Sequence, residues 1–172
     1  MLNRRGIALL LASIFVMAAC SPPSPIPPSF EAFDRIPLHT VDVKGQHMAY
    51  LMLGQGQPVI LIHGFGGSMW QWEHQQRPLS ASFRLITPDL IGSGLSAKPE
   101  IEYRPDQMLD YFVGFMDALQ IQQAALVGNS MGAGLAIGMA LAYPERVSRL
   151  VLIGGLPANV RERVTSPSIK RA

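Results

Sequence analysis

The stretch Leu126-Val127-Gly128-Asn129-Ser130-Met131-Gly132 constrains this chain more than any other. A short apolar run ends in Gly-x-Ser-x-Gly and passes at once into a row rich in small residues, Ala133, Gly134, Ala136, Gly138 and Ala140. On so tight a strand-to-helix turn a serine hydroxyl stands out from the sheet, and a side chain at either flanking glycine position would collide with neighbouring backbone. Gly128 and Gly132 remove those side chains. The helix can then lie close to the sheet, with the positive end of its dipole at the turn. Ser130 is therefore the candidate nucleophile, because an alcohol so placed needs only a base and a set of oxyanion donors to attack a carbonyl.

The rest of the chain reads as strands and helices in alternation. β-prone runs over residues 40–43 and 47–53 flank Lys44-Gly45-Gln46 and predict a hairpin. Residues 59–62 are continuously apolar, as in a parallel strand covered on both faces, and lead into His63-Gly64-Phe65-Gly66-Gly67. Ser68 is placed to cap a helix through Met69, Trp70, Trp72 and Leu79, with Pro78 marking its end and both tryptophans packing. A strand over residues 83–87 then delivers Pro88-Asp89-Leu90-Ile91-Gly92-Ser93-Gly94-Leu95-Ser96 as a glycine-rich loop. Met108, Leu109, Phe112, Phe115, Met116 and Leu119 recur at helical spacing as a core stripe. After the Ser130 helix, which Pro144 stops, residues 147–153 predict one more buried strand. The order implies an α/β protein with a doubly wound, mostly parallel sheet.

The N-terminus reads as a leader. Arg4 and Arg5 precede an uncharged apolar run over residues 6–19, too short to span a bilayer and right for the core of a signal peptide over residues 1–19. Val16-Met17-Ala18-Ala19-Cys20 resembles a bacterial lipoprotein box, departing from it at Met17. Cys20 is then the lipid-attachment residue, and residues 20–35 form an anchor and a proline-rich tether extended at about 3.1 Å per residue. Ser21 beside the cysteine favours the outer membrane, facing the periplasm; a plain signal peptide, giving a secreted protein, is the alternative. Cys20 is the single cysteine, so no intrachain disulfide can form. Subtracting Arg4 and Arg5 from the 14 Lys and Arg leaves 12, against 12 Asp and Glu, so the mature chain is near neutral and carries no basic signature for nucleic acid.

Elbow, His-Gly-Phe-Gly-Gly loop and Pro-Asp-Leu-x-Gly-x-Gly-x-Ser loop, in this order, resemble the α/β-hydrolase superfamily over residues 36–157. Within it the chain is similar to the serine branch of carboxylesterases, carbon–carbon bond hydrolases, lactonases and perhydrolases. Epoxide hydrolases and haloalkane dehalogenases share the loops but carry Asp at the elbow. The resemblance implies Ser130 as nucleophile, the backbone N–H groups of Phe65 and Met131 as oxyanion donors with Gly66 as a fallback, and a small acyl-type substrate. It makes His63 a brace for the oxyanion loop and Asp89 an organiser of its own loop. No cofactor is expected, since the glycine-rich loops lack a phosphate-binding pattern, and no residue cluster suggests a metal.

The family order is serine, acid, histidine, with the last two on strands after the one ending at Ile153. After Ser130 this sequence has no histidine and no aspartate, and only Glu145 and Glu162 carry carboxylates. The expectation is an incomplete core lacking the lid and last strands, with residues 158–172 a tail or the start of a lid, inactive alone and ending in an unprotected apolar sheet edge. The alternative is a non-catalytic, lipid-anchored binding protein with a degenerate hydrolase fold. Half of a two-chain enzyme is a third reading.

Overall fold

The computed structural model describes residues 36–154. The leader, Cys20, the tether, residues 155–157 and the segment 158–172 lie outside the described residues. Strands β1 (Leu38–Val43) and β2 (Gln46–Leu53) form the expected antiparallel hairpin. Its two turn residues, Lys44 at φ 55° and Gly45 at φ 76°, adopt the left-handed geometry that matches strand twist. The Asp42 carboxylate closes the turn by accepting the Gly45 N–H at 3.0 Å.

Four further strands follow: β3 (Pro58–Ile62), β4 (Arg84–Pro88), β5 (Ala124–Asn129) and β6 (Val147–Ile153). The sheet order is β1-β2-β4-β3-β5-β6, with β4, β3, β5 and β6 mutually parallel and β2 antiparallel to β4. This is the mostly parallel α/β sheet expected. The chain runs from β3 to β4 on one side and returns to place β5 on the other. Order therefore reverses at β3, and the carboxyl ends of β3 and β5 open a crevice there.

Helices α1 (Glu73–Ser80), α2 (Pro105–Ala118) and α3 (Met131–Ala142) cover the sheet. Ile60, Ile62 and Leu126 pack with Phe112, Phe115, Leu135 and Met139 from α2 and α3 on one face. Val59, Leu61 and Leu85 pack with Trp72 on the other. Alternate residues of β3 thus serve opposite faces, which is why its sequence is apolar throughout. Phe112 and Phe115 are fully buried, and each such side chain contributes roughly 2–3 kcal/mol.

Four expectations are corrected. Residues 69–72 form a 3-10 turn before α1, and Ser68 makes no side-chain cap: its backbone carbonyl accepts the Gln71 N–H at 3.0 Å, while the Met69 N–H is taken by Asp89 Oδ1 at 2.6 Å. Pro78 lies inside α1, which continues to Ser80. Of the two tryptophans only Trp72 is buried, while Trp70 is 43% exposed. The strand β6 exists, but its apolar residues are open to solvent, Val151 to 51%. Apolar composition reports what a strand could bury; burial needs neighbours, and among the described residues β6 pairs only with β5. Among the described residues β6 forms the apolar sheet edge that was expected.

Candidate active site

The register Ile62 opposite Gly128 brings the ends of β3 and β5 level, so the loops that leave them meet in the crevice. Ser130 stands between β5 and α3 at φ 49°, ψ −111°, a conformation that L-residues rarely adopt and that costs about 1–3 kcal/mol. It is exposed. Its N–H donates to the carbonyl of Ile153 at 2.8 Å, and its carbonyl accepts from Gly134 at 3.2 Å. The backbone is thereby pinned on both sides while the hydroxyl stays free to project.

Both flanking glycines are required for the reason the sequence suggested. A Cβ on Gly128 would stand 2.3 Å from the Gly132 carbonyl oxygen, and one on Gly132 would stand 2.4 Å from that of Ile62. The first turn of α3 therefore presses on the end of β3. Along α3 the buried face is Gly132, Ala133, Leu135, Ala136, Gly138 and Met139, so Leu135 and Met139 join the small residues, and Gly134 and Ala140 are only half-buried.

Gly64 is packed against the elbow: its Cβ position lies 2.9 Å from Asn129 Oδ1 and 3.4 Å from the Ser130 Cβ. The structure thus brings the Phe65 loop to Ser130. The Phe65 side chain is 89% exposed. Met131 is the first residue of α3, so its N–H has no carbonyl partner within the helix. Gly66, at φ 70°, turns the loop back, with the Gly67 N–H donating to the Gly64 carbonyl at 3.1 Å.

His63 is fully buried and joins two loops. Its Nδ1 lies 2.7 Å from the Gly64 carbonyl oxygen, and its Nε2 lies 3.0 Å from the Leu90 backbone nitrogen. A carbonyl can only accept and an N–H can only donate, so Nδ1 carries the proton and Nε2 receives the Leu90 N–H. With both nitrogens engaged, His63 has no lone pair to offer Ser130, which agrees with a brace and not a base. Burial lowers its pKa from the usual value; the Gly64 bond and the charge of Asp89 oppose that shift without overcoming it. The unfolded chain binds this proton near pH 6.5 and the folded chain only below that. Stability from His63 is therefore full above the unfolded value and declines as pH falls through 6.5, by at most about 1.4 kcal/mol per pH unit, until the lower folded value is reached. Denaturant midpoints measured between pH 8 and 5.5 check this, and a flat profile counts against it.

Asp89 is also fully buried. Its Oδ1 accepts the Met69 N–H and its Oδ2 accepts the Leu95 N–H at 2.7 Å, tying its own loop to the 3-10 turn. A Cβ on Gly94 would stand 1.9 Å from Asp89 Oδ2, so only glycine admits the carboxylate here. Asp89 is occupied with backbone, as an organiser should be. The sequence reading missed two polar partners. Ser96 Oγ donates to the Asp89 carbonyl at 2.6 Å and accepts the Ala49 N–H at 2.9 Å, and Gln71 Oε1 accepts the Gly64 N–H at 3.1 Å. Gln71 carried one signal, a polar residue between Trp70 and Trp72.

Of the remaining histidines, His39 stacks on Tyr50 at 5.3 Å between ring centroids and His74 pairs with Glu73 at 3.2 Å on the surface. Arg104 stands at the start of α2, where its backbone N–H donates to Gln107 Oε1 at 3.2 Å and its guanidinium pairs with Glu102 and Asp106. Among the described residues no cluster of His, Cys, Asp and Glu is arranged to hold a metal ion.

A family model described as alpha/beta hydrolase fold matches residues 57–168. A 2-hydroxymuconate semialdehyde hydrolase from a Pseudomonas species is 45% identical over 105 residues, 59% of this chain and 37% of that protein. A 2-hydroxy-6-oxo-6-(2'-aminophenyl)hexa-2,4-dienoic acid hydrolase from Metapseudomonas resinovorans is 38% identical over 128 residues, 71% of this chain and 44% of that protein. Among solved structures, a mutant meta-cleavage product hydrolase from Pseudomonas fluorescens, complexed with acetates, superposes with a TM-score of 0.66 at 43% identity, covering 70% of this chain and 45% of that one. The chain spans less than half the length of these relatives.

Proposed function

This chain belongs to the α/β-hydrolase family, and from that premise we propose that it is the nucleophile-bearing part of a serine hydrolase acting on a carbonyl of a small substrate. Ser130 Oγ attacks the carbonyl carbon; the Phe65 and Met131 N–H groups hold the oxyanion. The bond to the leaving group then breaks, the leaving group takes the serine proton from the base, and water releases the acyl group. One oxyanion donor of this kind is worth roughly 3 kcal/mol. The observation that carries the reading is the strained, exposed Ser130 with Gly64 packed against it.

No histidine follows Ser130 in the 172 residues, and His63 is engaged elsewhere, so the proposal assigns neither base nor acid among them. The substrate class is an ester, thioester or lactone, or an oxo-dienoate of the kind named for the relatives, where the bond broken is carbon–carbon. Each is attacked at a carbonyl, and the same oxyanion donors serve. The proposal further places the protein at the cell envelope through lipid on Cys20, supported by the box at residues 16–20 and the proline-rich spacer after it. The lack of a histidine and an aspartate after Ser130 favours one competitor, a lipid-anchored binding protein with no turnover.

The test is mass spectrometry of the native protein after exposure to a fluorophosphonate. The expected result is an adduct on Ser130 and a lipid mass on Cys20, with turnover of either a short ester or a 2-hydroxy-6-oxo-dienoate. An unmodified Ser130 in folded native protein transfers the case to the binding protein, and a free Cys20 removes the anchor alone.

A further inference from the structure

The peptide joining Gly64 to Phe65 is held at its carbonyl, which accepts from His63 Nδ1 and from the Gly67 N–H. In a trans peptide the N–H points opposite to the carbonyl, so these bonds aim the Phe65 N–H away from the His63 ring. The preceding peptide, joining His63 to Gly64, is held separately, by the Gly64 N–H donating to Gln71 Oε1. The same Gln71 oxygen lies 3.0 Å from the Cβ position of Gly67, so one side-chain amide sits against both ends of the loop. Glycine at position 64 supplies no steric preference of its own, and the two peptide planes beside it can rotate independently. His63 fixes the later plane; only with the earlier one also fixed is the Gly64 backbone located against Asn129 and Ser130.

We propose that Gln71 is a positioning residue for the oxyanion donor at Phe65, its side-chain carbonyl locking Gly64 so that the Phe65 N–H stays aligned with Ser130. The inference rests on the serine-hydrolase reading of Ser130. Loss of the lock lets the donor drift, and a displacement of about 1 Å in such a site is worth up to roughly 100-fold in rate.

The experiment compares fluorophosphonate inactivation of the native full-length protein with that of Gln71→Met, which keeps the length and removes the acceptor, and Gln71→Glu, which keeps an acceptor. Gln71→Met is expected to lose at least about tenfold in the maximal inactivation rate with inhibitor affinity unchanged, while its thermal midpoint falls modestly because the buried Gly64 N–H loses its acceptor. Gln71→Glu is expected to react faster than Gln71→Met. A purely structural role would lower the midpoint in the same way but leave the rate at full occupancy of the folded protein alone. Gln71→Met reacting at the parent rate overturns the proposal, as does a folded Gln71→Glu no faster than Gln71→Met. A parent protein that takes no label at Ser130 overturns the serine-hydrolase reading first and Gln71 with it, so the two failures are distinct.

Discussion

On the proposed serine-hydrolase reading, Ser130→Ala in the native protein should lose roughly 10⁶-fold in turnover and all fluorophosphonate labelling, with no loss of stability. The hydroxyl is exposed and its removal leaves no buried partner unpaired. The backbone strain remains, since alanine is no more at ease than serine at φ 49°, ψ −111°. Ser130→Gly should be equally inactive but more stable than Ser130→Ala by about 1 kcal/mol, because glycine enters this region without a Cβ penalty even after its greater unfolded-state entropy is counted. The three proteins together separate chemistry from strain. Residual turnover in Ser130→Ala within a hundredfold of the parent would remove Ser130 as nucleophile. Equal stability of the Ala and Gly variants would remove the strain.

Gly132→Ala should cost about 3 kcal/mol and inactivate the site, a large share of the 5–15 kcal/mol that hold a domain together. The added methyl meets the carbonyl oxygens of Ile62 and His63 at 2.4 and 2.6 Å, and these are backbone atoms at the end of β3 that no rotamer change can move. Relief requires α3 to lift from the sheet, which carries Ser130 and the Met131 N–H away from the Gly64 loop. Gly138→Ala, six residues along the same helix, provides the contrast. Its methyl would meet only the Leu109 side chain at 3.8 Å, ordinary contact, and alanine is favoured over glycine in a helix by up to about 1 kcal/mol. Urea denaturation should therefore move in opposite directions for the two variants. A Gly132→Ala midpoint at or above the parent would refute the close approach of helix and strand.

The elbow, the His63 loop and the Asp89 loop could be identified from sequence because each requirement is local. A strand, a turn and a helix follow one another without a break from Ala124 to Ala142, and a glycine two positions from Ser130 is demanded by the turn itself. The core stripe from Met108 to Met116 could be read for the same reason, since periodicity is a property of one helix. The bonds that hold the loops in place left no such trace. Asp89 reaches Met69 across 20 residues, His63 reaches Leu90 across 27 and Ser96 reaches Ala49 across 47, separations set by the return of the chain through the sheet and by no spacing rule. Ser68 is the obvious side-chain cap for the turn after it, yet its backbone carbonyl takes the Gln71 N–H at 3.0 Å, and a carboxylate delivered from another loop takes the Met69 N–H.

The sequence by itself determined the kind of turn that presents Ser130, the family-like order of loops around it, and the apolar strands that must pair. The tertiary structure alone decided that β3 and β5 lie side by side, so that Gly64 meets Ser130, that His63 is consumed by Gly64 and Leu90, and that β6 has β5 as its one strand partner among the described residues. Local conformation follows from the atoms of a few consecutive residues. Proximity, tautomer and burial follow from which neighbours the whole chain brings within a few ångströms, and those neighbours are fixed only when the sheet is assembled.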